Sequence, residues 1–190
     1  MSKFTSGLVS MLLIMLFTSP LIAQVNYTAK NVILKVSGSS SIHDWYVQST
    51  TATVTANIIV SHSGVITALS SLNFTTPVAA LKGEHNGMDK SMYKALKKDA
   101  NPNISFVLKT ASVIGSTIKC HGNLSIAGSS TETELVVTYK VNADKTITVT
   151  GTRSINMIDY AITPPTALFG TIKTSKDVVL SFTITVEEAK

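Results

Sequence analysis

One cysteine, Cys120, stands in the 190 residues, and a lone thiol has no partner within the chain. An intramolecular disulfide is therefore excluded, so stability has to come from the core. Charged residues are scarce at 14%, aromatics scarcer at 6%, and Arg153 is the single arginine. The densest basic cluster, Lys90, Lys94, Lys97 and Lys98, is confined to one short segment, whereas a nucleic-acid surface requires a broader basic patch with interleaved aromatics, and no nucleic-acid partner is expected. The longest apolar run, Leu8 to Phe17, is half of the roughly twenty residues that a spanning helix needs. No G-x-S-x-G, C-x-x-C, H-E-x-x-H or glycine-rich phosphate loop occurs. Those absences remove the enzyme classes that sequence can announce, and no catalytic residue is expected.

The length suits one domain with a sizeable core and is short for two. Lys3, the apolar run, then Thr18, Ser19 and Pro20 read as a signal peptide over residues 1–23, with Ala23 before the cut and the mature domain at 24–190. Leu21, three residues before the cut, is larger than the small residue usual there. Export to the periplasm or the medium is the expectation. Removing the segment takes away only Lys3, so the formal +5 becomes +4, spread as a solvated surface.

From residue 24 onward the apolar period is two, which marks half-buried strands. Val32, Leu34 and Val36 alternate with Ile33 and Lys35; Val54, Ala56, Ile58 and Val60 alternate with Thr53, Thr55 and Asn57. A turn at Ser61 to Gly64 leads to a stretch ending at Phe74, a hairpin by pattern. Ile104, Phe106 and Leu108 continue the theme, as do Ile118, Cys120, Leu124 and Ile126 before a turn at Gly128, Ser129 and Ser130. Leu135, Val137, Tyr139 and Val141 precede a turn at Asn142 to Asp144 and the pair Ile147 and Val149. In the last strand Val178, Leu180, Phe182, Ile184 and Val186 share one face against Ser181, Thr183 and Thr185. Only Gly87 to Pro102 departs: Met88, Met92, Ala95 and Leu96 fall at helical spacing, with Asp89 near the start and Lys97 and Lys98 near the end. About eight strands with one short helix bury one another as a closed antiparallel barrel or as a packed sandwich, and periodicity does not choose.

Four groups of residues resemble motifs of the YceI-like family. They are Gly38 to Trp45; Met88, Asp89, Lys90, Met92, Tyr93, Ala95 and Leu96, followed by Asn101, Pro102, Ile104 and Phe106; Gly122, Leu124, Ile126, Ala127 and Gly128; and Met157, Asp159, Tyr160, Ile162 and Pro164 to Lys173. They run in order from Gly38 to Lys173, over most of the mature chain. The resemblance implies an all-β, lipocalin-like antiparallel β-barrel of about eight strands covered by one short helix. It further implies that the cavity binds, and sequesters or transports, a polyisoprenoid or isoprenoid quinone in exported proteins. On that reading the partner is a small-molecule lipid, membrane contact serves only lipid exchange, the chain is a monomer or homodimer, and no cofactor beyond the bound lipid is needed. The alternative is a ligand-free packed β-sandwich acting as an interaction or stress-related module.

Cavity candidates follow from parity and from the resemblance together: Trp45, Phe74, Met88, Met92, Tyr93, Leu96, Phe106, Leu108, Leu124, Ile126, Met157, Leu168, Phe169, Leu180, Phe182 and Ile184. Arg153 is the candidate for a head group. Pro164 and Pro165 stiffen a loop whose Leu168 and Phe169 are expected to plug or line one end. No metal site is expected. His43 with Asp44, and Cys120 with His121, are strand neighbours that point to opposite faces, while Glu84 and His85 merely precede the helix.

Overall fold

A computed structural model describes residues 25–189; the expected signal peptide and its cleavage site lie outside them. Ten strands are present: β1 (Val25–Ser40), β2 (Asp44–Ser49), β3 (Thr53–Val60), β4 (Ile66–Pro77), β5 (Asn103–Ile114), β6 (Thr117–Ile126), β7 (Ser129–Val141), β8 (Ile147–Asn156), β9 (Thr166–Ala167) and β10 (Ile172–Glu188). β2 and β3 are one stave in two pieces. Leu34 of β1 faces Ser49, and Thr28, six residues before Leu34, faces Thr55, six residues after Ser49, in unbroken register. The gap at residues 50–52 is stitched by hydroxyls: Ser49 Oγ accepts from Thr51 N, and Thr76 Oγ1 donates to the Thr51 carbonyl at 2.8 Å. Both side chains are buried yet satisfied, as buried polar groups must be.

The staves run as an antiparallel meander from β3 through β8 to β10, and β10 then pairs with β1 from Tyr27↔Glu188 to Ser40↔Thr174. That pairing closes an eight-stave barrel and decides against the sandwich, because neither long terminal strand keeps a free edge there. Hairpin chemistry sets the joints. Ala127 and Gly128 both have positive φ (51° and 87°) between the paired Ile126 and Ser129, the backbone of a two-residue I′ loop. This turn comes one residue earlier than the expected Gly128 to Ser130, because the serines already pair in β7.

Parity holds along the strands. Val32 and Leu34 are buried while Ile33 between them is exposed, and the alternation recurs in β3 and β6. The helix α1 (Asn86–Ala95) is shorter than the Gly87 to Pro102 pattern suggests. Lys97 takes a left-handed φ of 52°, and its carbonyl accepts from Ala100 N and Asn101 N, which ends the helix and turns the chain into β5. Asp89 does more than favour the helix dipole. Its buried carboxylate accepts the Gly83 N–H at 2.8 Å and lies 3.5 Å from Lys82 Nζ, fastening α1 to the segment that bridges β2 at Gln48↔Lys82.

Candidate functional site

Two adjoining chambers lie inside the barrel. An outer chamber of about 460 Å³ lies under α1, and an inner one of about 160 Å³ lies deeper between the staves. Val36, Leu81, Ile104, Ile126 and Ile155 border both and form the waist. Among the described residues, no Asp, Glu, Lys or Arg lines either chamber. Such a space suits a hydrocarbon far better than an ion.

Of the residues singled out in the sequence, Trp45, Met88, Met92, Leu96 and Met157 border the outer chamber. Phe74, Phe106, Leu124, Leu180, Phe182 and Ile184 border the inner one, and Ile126 borders both. The inward parity of Leu180, Phe182 and Ile184 is thus observed.

Five candidates lie elsewhere. Tyr93 follows Met92 around the helix by about 100°, and its hydroxyl donates to the Leu81 carbonyl at 2.9 Å with the Ala79 carbonyl at 3.1 Å. Its ring packs under Lys82 and Lys98, so Tyr93 ties α1 to the wall and does not face the lumen. Leu108 shares the parity of Phe106, but it sits at the bulge between Leu108 and Thr110 and packs into the core without bordering the space. Arg153 is exposed. Opposite Leu180 it stands in the inward series, yet the β7–β8 ladder stops at Val137↔Gly151, so no strand flanks it on that side. Leu168 and Phe169 neither plug nor line the end: both project into solvent, and Pro165, Thr166 and Ala167 border the chamber instead.

Sequence reasoning missed the waist, whose Val36, Ile104 and Ile155 are ordinary strand residues, and the polar mouth, where Ser40, His43, His85, Ser91, Thr166 and Thr174 border the chamber. Only the barrel's closure brings these together. His43 Nδ1 lies 2.8 Å from the Asp44 carbonyl and donates to it, which leaves Nε2 as an acceptor. Ser40 Oγ accepts from His43 N and donates to the His43 carbonyl, fixing the turn that carries the ring. His43 and Asp44 therefore do not form a base with its orienting carboxylate.

Three glycines shape the lumen by what they omit. A Cβ on Gly38 would lie 2.5 Å from the Trp45 ring, one on Gly122 2.6 Å from Phe106, and one on Gly151 2.6 Å from Phe182. Each ring occupies the room left where the glycine lacks a side chain. The aromatics thus border the space without filling it.

Cys120 also borders the inner chamber, and burial pushes its thiol up to about 11. A thiol so seldom ionised is inert. Among the described residues no group of three or more His, Cys, Asp or Glu side chains is placed to hold a metal ion, and no helix is long and apolar enough to cross a membrane. His121 pairs instead with Glu134 at 3.1 Å on the outer surface.

A family model for the YceI-like domain matches residues 23–186. Among solved structures, Burkholderia cenocepacia BcnA is similar at TM-score 0.67 and 14% identity, over 82% of this chain and 96% of that one. A polyisoprenoid binding domain from Saccharophagus degradans aligns at TM-score 0.60 and 12% identity, over 87% of this chain and 99% of that one. The Campylobacter jejuni YCEI protein aligns at TM-score 0.57 and 20% identity, over 72% and 81%. No curated protein sequence matches the chain.

Proposed function

The chain belongs to the YceI-like family, and from that premise we propose that it binds a long apolar amphiphile non-covalently, a polyisoprenoid or isoprenoid quinone, and sequesters or transports it. The observation that carries this reading is the pair of adjoining chambers, one under α1 and one deeper between the staves, which share five apolar lining residues and are lined by no Asp, Glu, Lys or Arg among the described residues. An isoprenoid tail suits it, since each buried CH2 is worth about 0.8 kcal/mol, and the Met88 and Met92 thioethers adapt to an irregular chain. The Saccharophagus degradans polyisoprenoid binding domain, which shares the fold, supports the choice of ligand class. The head group belongs at the mouth, where His43 Nε2 is an acceptor and Ser91 and Thr174 supply hydroxyls. Binding, not catalysis, fits a lumen without carboxylate or ammonium groups.

Export is part of the same reading, supported by the pattern of residues 1–23. Intact mass of the protein recovered outside the inner membrane is expected to correspond to a chain beginning at Gln24.

The direct test is native mass spectrometry of protein purified without detergent, followed by titration of the stripped protein with prenols. A co-purified apolar mass and saturable uptake are expected. A clean unliganded mass together with no uptake would reject the carrier reading.

A further inference from the structure

The loop at the mouth carries an apolar tip that the chamber does not use. Leu168, Phe169 and Gly170 have consecutive left-handed φ values of 49°, 54° and 89°. That conformation crowds the Cβ of any residue other than glycine, and it recurs at functional segments that the surrounding structure holds in place. Its result here is that Phe169 is fully exposed and Leu168 is 69% exposed. The tip stands at the rim, because the preceding Pro165 to Ala167 border the outer chamber. Ile42, 61% exposed, lies on the same rim: its neighbour Ser41 donates to the Lys173 carbonyl at 2.9 Å and accepts from Lys173 N at 3.2 Å.

Charge accompanies the apolar tip. Residues 161–176 include Lys173 and Lys176 and no carboxylate. The helix α1, which covers the outer chamber, exposes Lys90 and Lys94 on its outer side, while its one acid, Asp89, is buried beside Lys82. Asp44, Glu84, Asp159 and Asp177 flank these segments and leave the loop itself without negative charge.

We propose that this rim docks on an anionic phospholipid bilayer, with Leu168 and Phe169 entering the boundary between head groups and acyl chains and the lysines facing lipid phosphates. Apolar side chains at the interface with cations beside them are the elements of reversible membrane-surface binding. In that pose the chamber mouth faces the membrane. Docking does not require a loaded chamber, so it stands or falls separately from the carrier reading.

Cargo-free protein is sedimented with vesicles of phosphatidylglycerol and phosphatidylethanolamine, and with vesicles of phosphatidylcholine alone. Salt-sensitive binding to the anionic vesicles is expected, and weaker binding to the others. Replacing both tip residues (Leu168→Ser with Phe169→Ser) should reduce the bound fraction about tenfold or more, while prenol uptake in solution stays unchanged because neither residue borders the lumen. Replacing both lysines at the start of β10 (Lys173→Gln with Lys176→Gln) should weaken binding to anionic vesicles alone. As a second measurement, Phe169→Cys carrying a polar, environment-sensitive maleimide should shift its emission to the blue on adding anionic vesicles, with the buried Cys120 left unlabelled. No vesicle binding by the parent, undiminished binding by the serine variant, or an unshifted emission would each overturn the proposal. Self-association of the parent that the serine variant loses would assign the tip to a second copy of this chain, and would overturn it as well. Vesicle docking without prenol uptake would sink the carrier reading alone.

Discussion

At the scale of single residues, the lumen is governed by contacts between glycines and rings. Gly151→Ala places a methyl 2.6 Å from the Phe182 ring and 2.9 Å from Val137, so the ring has to swing into the inner chamber. The expected outcome is a loss of roughly 1 to 3 kcal/mol in chemical denaturation, the usual cost of overpacking, and a preference for shorter prenols in a length series. Equal loss of binding at every length would contradict this account. Cys120 makes a second prediction. Its folded value of about 11 stands above the ordinary 9.0, so the neutral thiol is favoured by folding. The stability it contributes is complete below pH 9 and is lost as the pH rises through 11. Melting curves from pH 8 upward should fall less steeply for Cys120→Ala than for the parent, after allowing for the cavity that the variant opens.

At the scale of elements, α1 acts as a cover held by two polar ties, and only one of them is buried. Asp89→Ala leaves the Gly83 N–H without its carboxylate, an orphaned donor costing about 1 to 3 kcal/mol. Hydrogen exchange should rise through α1, and a bound prenol should dissociate faster. Tyr93→Phe removes only a hydroxyl bonded to the Leu81 carbonyl, so a smaller loss of about 1 kcal/mol is expected, with prenol capacity unchanged. A fall in capacity would return Tyr93 to the lumen. The helical spacing of Met88, Met92, Ala95 and Leu96 was legible because it is local, and those four residues do face the outer chamber. The end of the helix was not legible: Lys97 is a good helix former that takes a left-handed turn, since β5 has to begin beside β4.

At the scale of the whole molecule, closure depends on β10, which is paired on both sides, with Ile33↔Thr183 on one flank and Thr183↔Thr150 on the other. Thr183→Pro should therefore cost about 3 kcal/mol or more by removing a ladder donor from the interior of the sheet. Thr166→Pro in the two-residue β9 should leave the barrel standing, because β9 lies outside the closed ring. Circular dichroism melts of the two variants would separate a closed barrel, which loses its cooperative transition in the first case only, from a sheet that tolerates both.

Which side of each strand faces inward was determined by the sequence alone, because alternation is a property of neighbours two residues apart and needs no knowledge of the rest of the chain. The hairpin from Thr53 to Phe74 and the inward series from Val178 to Val186 were readable for that reason. Tertiary structure decided whether an inward residue meets empty space or another side chain. That depends on the distance to the opposite wall, set by the pairing of β1 with β10 at the far end of the sequence. Leu108 and Phe106 have the same parity, yet a bulge packs the first into the core and leaves the second on the lumen. Leu168 and Phe169 are apolar by composition, and only the left-handed backbone at the mouth turns them out of the barrel.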